Sequence, residues 1–207
     1  MSTPTIITAL SIEARALRTI AARYRSRILV VGPGPACAER LFTSHTPQAV
    51  LLAGVAGGLV DDPPARTARV IDAHTGDRFT PDIAHDPDGA TVVTTHAPAC
   101  TPTDKATLAR THAAHLVDTE SAHIARACIE RAVPWGVLRA VSDGPRDTLP
   151  PEVARWTTNT GDTRVARVLL DTIKRPSLAR DLKRLQASTS TALRTLAGRV
   201  EECLDER

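Results

Sequence analysis

Apolar runs of strand length alternate with helical patterns along the first 143 residues. The run Ala49–Val55 is apolar throughout, which is typical of a central strand covered on both faces, and we expect it to break at Ala56-Gly57-Gly58. This alternation predicts an α/β fold with a mostly parallel central sheet flanked by helices. The predicted strands are Thr5–Ala9, Arg27–Val31, Ala49–Val55, Ala68–Ala73, Thr91–Thr95, Leu116–Asp118 and Trp135–Val141.

Helices are predicted between these strands, where apolar residues recur at helical spacing. From Pro150 onward the pattern is helical to the end, with breaks near Asn159–Gly161 and at Pro176. No repeat or low-complexity linker is found, so we interpret residues 1–207 as one domain with a helical extension from about residue 150. The earlier predicted helices are Ile12–Tyr24, a segment from Pro35 through Leu41, Thr103–His112 with a threonine cap, and Ser121–Arg131.

The composition is ordinary for a globular protein, with 42% hydrophobic and 24% charged residues. Aromatic residues make up 2% of the chain, which argues against a stacking platform for nucleic acid. The net charge of +3 is too small to indicate a polyanionic partner, so we expect no nucleic-acid partner.

The cysteine pattern and the apolar runs bear on the compartment. The four cysteines are far apart and form no C-x-x-C pair, which is typical of reduced structural thiols. The first residues lack a basic start followed by a long apolar run, and the longest apolar stretches are strand-sized. We therefore expect a cytoplasmic protein.

Acidic residues stand at three places where a strand ends or a helix begins: Glu13, Glu120 and Asp143. The carboxyl ends of parallel strands form one crevice in which ligands bind. Each acid taken alone could be a helix N-terminal residue favoured by the macrodipole. Their joint placement predicts that the three carboxyl groups converge on one rim of the sheet.

Four motifs occur in order along the chain and resemble a known superfamily. They are similar to successive motifs of the nucleoside phosphorylase and methylthioadenosine/S-adenosylhomocysteine nucleosidase superfamily. The resemblance extends from the first strand to Asp143 and rests on the order of the set. The motifs are Ala9-Leu10-Ser11-Ile12-Glu13-Ala14-Arg15-Ala16-Leu17, Gly54-Val55-Ala56-Gly57-Gly58-Leu59, Val117-Asp118-Thr119-Glu120-Ser121-Ala122 and Val133-Pro134-Trp135-Gly136-Val137-Leu138-Arg139-Ala140-Val141-Ser142-Asp143.

The remainder of the chain resembles the hopanoid-associated phosphorylase branch, which is thought to remove adenine from adenosylhopane. The segments that carry this likeness are Pro98 with Lys105-Ala106-Thr107-Leu108, Asp147-Thr148-Leu149-Pro150-Pro151, residues 164–170 and Lys174-Arg175-Pro176.

The resemblance implies cleavage of the bond between a purine and its ribose. Asp143 is then the general acid, which needs a raised pKa or a tightly shared proton to act at neutral pH. Glu120 holds the ribose hydroxyls and Glu13 activates water, which favours hydrolysis over phosphorolysis. The resemblance implies a homo-oligomer and no cofactor. Further substrate-binding residues are expected at Asp118, Thr119, Val55, Ala56, Gly57 and Ser142.

Three weaker patterns concern phosphate binding, close approach of the backbone to a ligand, and metal binding. Gly32 and Gly34, at a helix start, could bind phosphate through backbone N–H groups, but Pro33 and Pro35 remove donors. Gly57 and Gly58 would let backbone approach a ligand closely, or form a plain turn. His112 and His115 are spaced like metal ligands without a third, so no metal site is expected.

The chain departs from the nucleosidase pattern at several points. Thr119 replaces the usual methionine, Val55 replaces a small hydroxyl residue, and no phenylalanine is evident for stacking on the base. The stretch between Leu59 and Ala97 is also shorter than the corresponding stretch of the nucleosidases. These departures indicate a more open pocket and leave the specificity undefined.

The last thirty residues combine an apolar stripe with basic residues. The stripe predicts a helix packed on the core, whose basic face is either solvated or in contact with anionic lipid. The stripe is Leu178, Leu182, Leu185, Leu193, Leu196, Val200 and Leu204, and the basic residues are Arg180, Lys183, Arg184, Arg194 and Arg199.

Three alternatives to an adenosylhopane-type enzyme stay open. The first is a nucleosidase for methylthioadenosine, S-adenosylhomocysteine or futalosine. The second is a catalytically silent protein that binds a nucleoside, against which the intact Glu13, Glu120 and Asp143 argue. The third is a membrane-surface or nucleic-acid binding protein that works through its basic tail.

Overall fold

The computed structural model describes residues 3–176 and 178–206, and in these residues eight strands form one sheet. The predicted strands are present, with ends that differ by a few residues. They are β1 (Thr5–Thr8), β2 (Ile28–Val30), β3 (Val50–Gly58), β4 (Thr67–Asp72), β5 (Arg78–Phe79), β6 (Ala90–Thr94), β7 (Leu116–Asp118) and β8 (Trp135–Asp143).

The sheet is mixed and mostly parallel, which confirms the predicted fold class. Its strand order is β2-β1-β3-β7-β6-β4-β5, and β8 pairs with β3. The antiparallel pairs are β3–β7 and β4–β5, while β1–β2, β1–β3, β3–β8, β4–β6 and β6–β7 are parallel. The short strand β5, which returns against β4, was not predicted.

The predicted break at Ala56-Gly57-Gly58 is wrong, because β3 continues through Gly58. Gly57 pairs with Asp143 on one side and with Val117 on the other, so pairing at both edges holds the extended backbone. A Cβ added at Gly57 would lie 3.0 Å from Val117 Cγ1 and 3.3 Å from Asp143 Oδ2. A side chain at this position would crowd both neighbouring strands, so the glycine suits close strand packing here rather than a turn.

Helices cover both faces of the sheet. Val50 and Leu52 pack in one cluster with Leu41 and Ile124, whereas Leu51 packs on the opposite face with side chains of the first and last helices. This alternation is the two-residue period of a strand buried on both sides. The helices are α1 (Ser11–Arg23), α2 (Cys37–Ser44), α3 (Pro102–His112), α4 (Ser121–Glu130), a 3₁₀ helix (Pro151–Arg155), α5 (Val165–Lys174) and α6 (Leu178–Asp205).

Helix α3 begins one residue before the predicted start. Thr101 is its N-cap and accepts a hydrogen bond from Asp104 N, while Pro102 occupies the first turn, where its missing N–H is no loss. The side chain of Lys105 is buried on the inner face of this helix. Helix α3 thus carries a cation into the interior beside β8.

Helix α6 packs the C-terminal part of the predicted apolar stripe against the core, while Leu182 and Leu185 of that stripe are only partly buried. Leu193, Leu196 and Val200 are buried in the same cluster as Leu138 of β8. Basic residues such as Arg180 and Arg194 lie exposed on the other side of the helix. Within the described residues, no helix combines the length and the hydropathy that a membrane crossing requires.

Candidate active site

A cavity of about 370 Å³ lies where β1 and β8 end and along the last part of β3. Glu13, Glu120 and Asp143 all line it, so residues far apart in the sequence reach one place. Other predicted site residues also line it, and Gly32 does not. The remaining lining residues include Val55, Ala56, Gly57, Asp118, Thr119, Ser142, Gly34, His96, Leu149 and Val153.

Glu13 is held by backbone N–H groups at the bottom of this cavity. Its Oε2 accepts from Leu10 N at 2.9 Å and its Oε1 accepts from Val55 N at 2.8 Å. The side chain is 1% exposed. Burial raises the pKa of Glu13 to about 7, against the opposing effect of the positive charge on Arg139. A carboxyl group with this pKa can exchange a proton at neutral pH.

Glu120 stands just before α4 and is buried among donors. Its Oε1 accepts from the Thr119 hydroxyl and from Gly34 N at 3.1 Å, and its Oε2 lies 3.4 Å from Nη2 of Arg139. Burial raises the pKa of Glu120, and Arg139 opposes that rise. The carboxyl group is therefore fixed in orientation at the wall of the cavity.

Asp143 is the last residue of β8 and has a partner at each oxygen. Its Oδ1 lies 2.6 Å from the Ser142 hydroxyl, which is also 3.3 Å from Ala56 O. Its Oδ2 accepts from Lys105 Nζ at 2.5 Å. The Ser142 hydroxyl therefore lies between the carboxylate of Asp143 and the backbone of β3 and can donate to either.

Arg139 was not assigned to the site from the sequence, although it stands in a quoted motif. Its side chain is buried, with Nη2 2.5 Å from Asp118 Oδ2 and 3.2 Å from Ser121 Oγ. Its Nε and Nη1 have no hydrogen-bond partner among the described residues. An arginine inside an otherwise apolar strand is the signal that could have revealed it.

The free end of Arg139 is close to Glu13. A Cβ added at Gly54 would lie 2.4 Å from Arg139 Nη1 and 2.8 Å from Glu13 Oε1, so both groups border one point of β3. Buried donors without a partner are rare in proteins and usually contact water or a ligand. Nη1 is therefore a buried donor without a partner among the described residues, next to the carboxylate of Glu13.

Asp118 lies at the cavity, but its carboxylate is used within the protein. Oδ1 accepts from Thr94 Oγ1 at 2.7 Å, and Oδ2 accepts from Arg139 and from the Ser121 hydroxyl. Thr119 likewise donates its hydroxyl to Glu120. Both residues therefore orient charged neighbours in this structure.

The predicted phosphate site offers little to an anion. Gly34 N already donates to Glu120, and Gly32 packs against the carbonyl group of Asn159, where a Cβ would lie 1.9 Å from the oxygen. Arg40 donates to the carbonyl oxygen of Pro33 at 2.9 Å. Glycine is required at both positions for conformation, because φ is +73° at Gly32 and +78° at Gly34.

Two further features of the lining concern metals and stacking. Among the described residues, no group of three or more His, Cys, Asp or Glu side chains is arranged to hold a metal ion. His115 Nδ1 accepts from Thr91 N at 2.9 Å, which gives that histidine a structural contact. The ring that lines the cavity is His96, whose centroid lies 5.2 Å from that of His74 and 6.0 Å from that of His123.

Comparisons with solved structures identify the class of fold. A 5′-methylthioadenosine/S-adenosylhomocysteine nucleosidase variant of Helicobacter pylori, solved with 5′-methylthioadenosine in its active site, matches with a TM-score of 0.65 and 15% identity over 100% of both chains. Futalosine hydrolase of the same organism matches with a TM-score of 0.65 and 15% identity, over 98% of this chain and 97% of that one. The nucleosidase fold is therefore the fold of this chain.

A family model agrees with this fold. Residues 83–174 match the model described as the phosphorylase superfamily, which supports the predicted superfamily. The segment includes Glu120, Arg139 and Asp143. The comparison with curated proteins finds no match.

Proposed function

We propose that this protein cleaves the N-glycosidic bond of an adenine nucleoside by attack of water. The observation that carries the proposal is the meeting of Glu13, Glu120 and Asp143 around one cavity, with Arg139 Nη1 unpartnered beside Glu13. The fold shared with nucleosidases and the phosphorylase-superfamily match support the same class.

The attacking water binds between Arg139 Nη1 and the carboxylate of Glu13. Glu13 takes a proton from the water as the oxygen attacks the anomeric carbon, a task for which a pKa of about 7 is well placed. Arg139 donates to the water oxygen and keeps it next to its base. Glu13 later returns its proton to solvent.

Glu120 stabilises the positive charge that develops on the sugar, and Asp143 neutralises the negative charge that develops on the base. Glu120 accepts from the ribose hydroxyls, a contact that strengthens as the ring becomes positive. Asp143 gives its proton to N7 of the purine while the electron pair of the broken bond stays on the base. Neutral adenine then leaves, and Asp143 takes a proton from solvent before the next turnover.

Water is favoured over phosphate by the charge of the site. Glu13, Glu120 and Asp118 surround Arg139, whose Nη2 lies close to Asp118 and Glu120. The N–H of Gly34 already donates a hydrogen bond to Glu120 and is not available to a phosphate. A phosphate dianion would meet buried carboxylates here, and like charges in a buried site repel strongly.

The identity of the 5′ substituent on the substrate is the more specific part of the proposal. Leu149 and Val153 line the cavity, so an apolar substituent finds apolar contact there. Together with the motifs shared with the hopanoid-associated branch, this supports an adenosylhopane-type nucleoside. Methylthioadenosine, S-adenosylhomocysteine and futalosine are the alternatives favoured by the structural neighbours.

The proposal is tested by incubating the purified protein with each soluble candidate and with a 5′-alkyl-5′-deoxyadenosine of increasing chain length. Free base is measured by chromatography. We expect base release with kcat/KM rising as the alkyl chain lengthens. Binding without base release from any of them would support the catalytically silent alternative and reject the enzyme.

The oligomeric state, the compartment and the membrane contact of the protein are further proposals. We infer a cytoplasmic homo-oligomer, and membrane contact through the exposed basic side of α6 stays a prediction. Flotation with anionic and neutral vesicles at low and high salt tests that contact, because electrostatic binding is lost at high salt. Equal recovery in the soluble fraction under all four conditions would reject it.

A further inference from the structure

Lys105 is a lysine whose ammonium group is enclosed within the protein. Its side chain is 0% exposed, and it is the buried residue of α3, whose other side chains reach solvent to some degree. Removing an ammonium group from water costs several kcal/mol unless good partners replace the water. An apolar side chain would fill the same space without that cost, so packing alone does not call for a lysine here.

The ammonium has three acceptors, one for each of its protons. Nζ lies 2.5 Å from Asp143 Oδ2, 2.7 Å from Gly144 O and 3.2 Å from Asp147 O. Lys105 therefore joins the carboxyl group at the end of β8 to the backbone that follows it. The turn is closed by Gly144 N, which donates to Asp147 Oδ2 at 2.8 Å.

We propose that Lys105 is a positioning residue that acts through Asp143. Its ammonium fixes the carboxyl group and stabilises the carboxylate that remains once Asp143 has donated its proton to the departing base. This inference rests on the proposed function, in which Asp143 is the general acid.

The arrangement of partners supports this role. Lys105 contacts one oxygen of the carboxyl group and Ser142 contacts the other, so the group cannot rotate away from the base. When the glycosidic bond breaks, its electron pair stays on the base and the proton moves from Asp143 to N7. The new negative charge on Asp143 then faces a positive charge in a buried site, where their attraction is strong. No proton leaves Lys105.

The decisive experiment is a double-mutant cycle on the best adenine nucleoside. Lys105→Met removes the ammonium and its hydrogen bonds, and Asp143→Asn removes the acid. We expect Lys105→Met to lower kcat by roughly 10²-fold with KM changed less than about threefold, since a misplaced catalytic group has losses of this size. In the Asp143→Asn background the same change should cost less than about twofold.

Controls separate this role from a structural one. Lys174→Met removes an exposed lysine of α5 and should leave kcat and KM unchanged. Lys105→Gln, which keeps donors but no charge, should lose less activity than Lys105→Met. Equal losses from Lys105→Met in both backgrounds would overturn the inference, as would failure of both Lys105 variants to fold. Inactivity of the wild-type protein on every nucleoside would instead reject the proposed function.

Discussion

Nη2 of Arg139 lies 2.5 Å from Oδ2 of Asp118, and the two side chains are 0% and 1% exposed. This buried pair turns the guanidinium so that Nη2 meets Asp118 and Nη1 is left beside Glu13. Asp118 is itself fixed by Thr94 and Ser121. Asp118, the last residue of β7, therefore positions the arginine that the proposed reaction uses.

Asp118→Asn should be strongly destabilising. Removing one partner of a buried ion pair leaves the other charge uncompensated and costs roughly 3–5 kcal/mol. Asp61→Asn is a matched control, because Asp61 pairs with Arg146 at the surface, and such pairs are worth about 0–1 kcal/mol. Urea unfolding of both variants gives the two free energies. Similar values for the two would show that the Arg139 pair does not stabilise the fold.

Glu120→Gln should lower kcat more than it raises KM. The contact between Glu120 and the ribose hydroxyls is worth most when the sugar is positively charged, so its loss appears mainly in the transition state. Steady-state kinetics with Glu130→Gln, an exposed residue of α4, as the control would measure the difference. A change confined to KM would remove Glu120 from the proposed role.

Glu13 should give the reaction an acidic limb near pH 7. It must be ionised to accept a proton from water, and burial raises its pKa to about 7, so kcat/KM falls as the pH drops through that value. An activity that stays flat from pH 8 to pH 5 would exclude Glu13 as the base.

The same pKa has a consequence for stability. Between the ordinary value of 4.5 and about 7 the folded protein binds more protons at Glu13 than the unfolded chain, so stability falls as the pH rises through this window. Glu120, whose pKa is also raised, contributes in the same direction. The pH dependence of unfolding should therefore be weaker in Glu13→Gln than in the wild-type protein.

The pattern of apolar residues along the chain was sufficient to predict most strands and helices, but not the length of β3. The strands were predictable from short apolar runs, and the helices from apolar residues that recur with a period of 3.6. The two glycines at 57 and 58 indicate a break when the sequence is taken alone, because glycine favours turns. Their extended conformation depends on pairing with β7 and β8, which residues 56–58 do not reveal by themselves.

The acidic residues of the candidate site could be predicted from the sequence, whereas its lysine and arginine could not. Glu13, Glu120 and Asp143 could be placed together because each follows or ends a strand of one sheet. Lys105 has the sequence context of any solvated lysine on a helix, and its burial follows from how α3 lies against β8. The place of Arg139 likewise depends on Asp118, which reaches it from a different strand.

Asp143→Asn should nearly abolish base release, with some loss of stability because Lys105 loses its charged partner. The variant keeps the shape of the side chain but has no acidic proton, and loss of a general acid typically costs ~10²–10⁴ in rate. Base release by Asp62→Asn, an exposed control on the loop after β3, should be unchanged. An Asp143→Asn variant with near-native turnover would remove Asp143 from the mechanism.

Hydrolysis of an adenine nucleoside is tested most directly by following the oxygen that reaches the sugar. The wild-type protein is incubated with the best substrate in phosphate-free buffer made with water labelled with oxygen-18, and the sugar product is analysed by mass spectrometry. We predict adenine release without phosphate and one labelled oxygen at the anomeric carbon. Turnover that requires added phosphate and yields a sugar 1-phosphate would contradict the proposal and identify a phosphorylase.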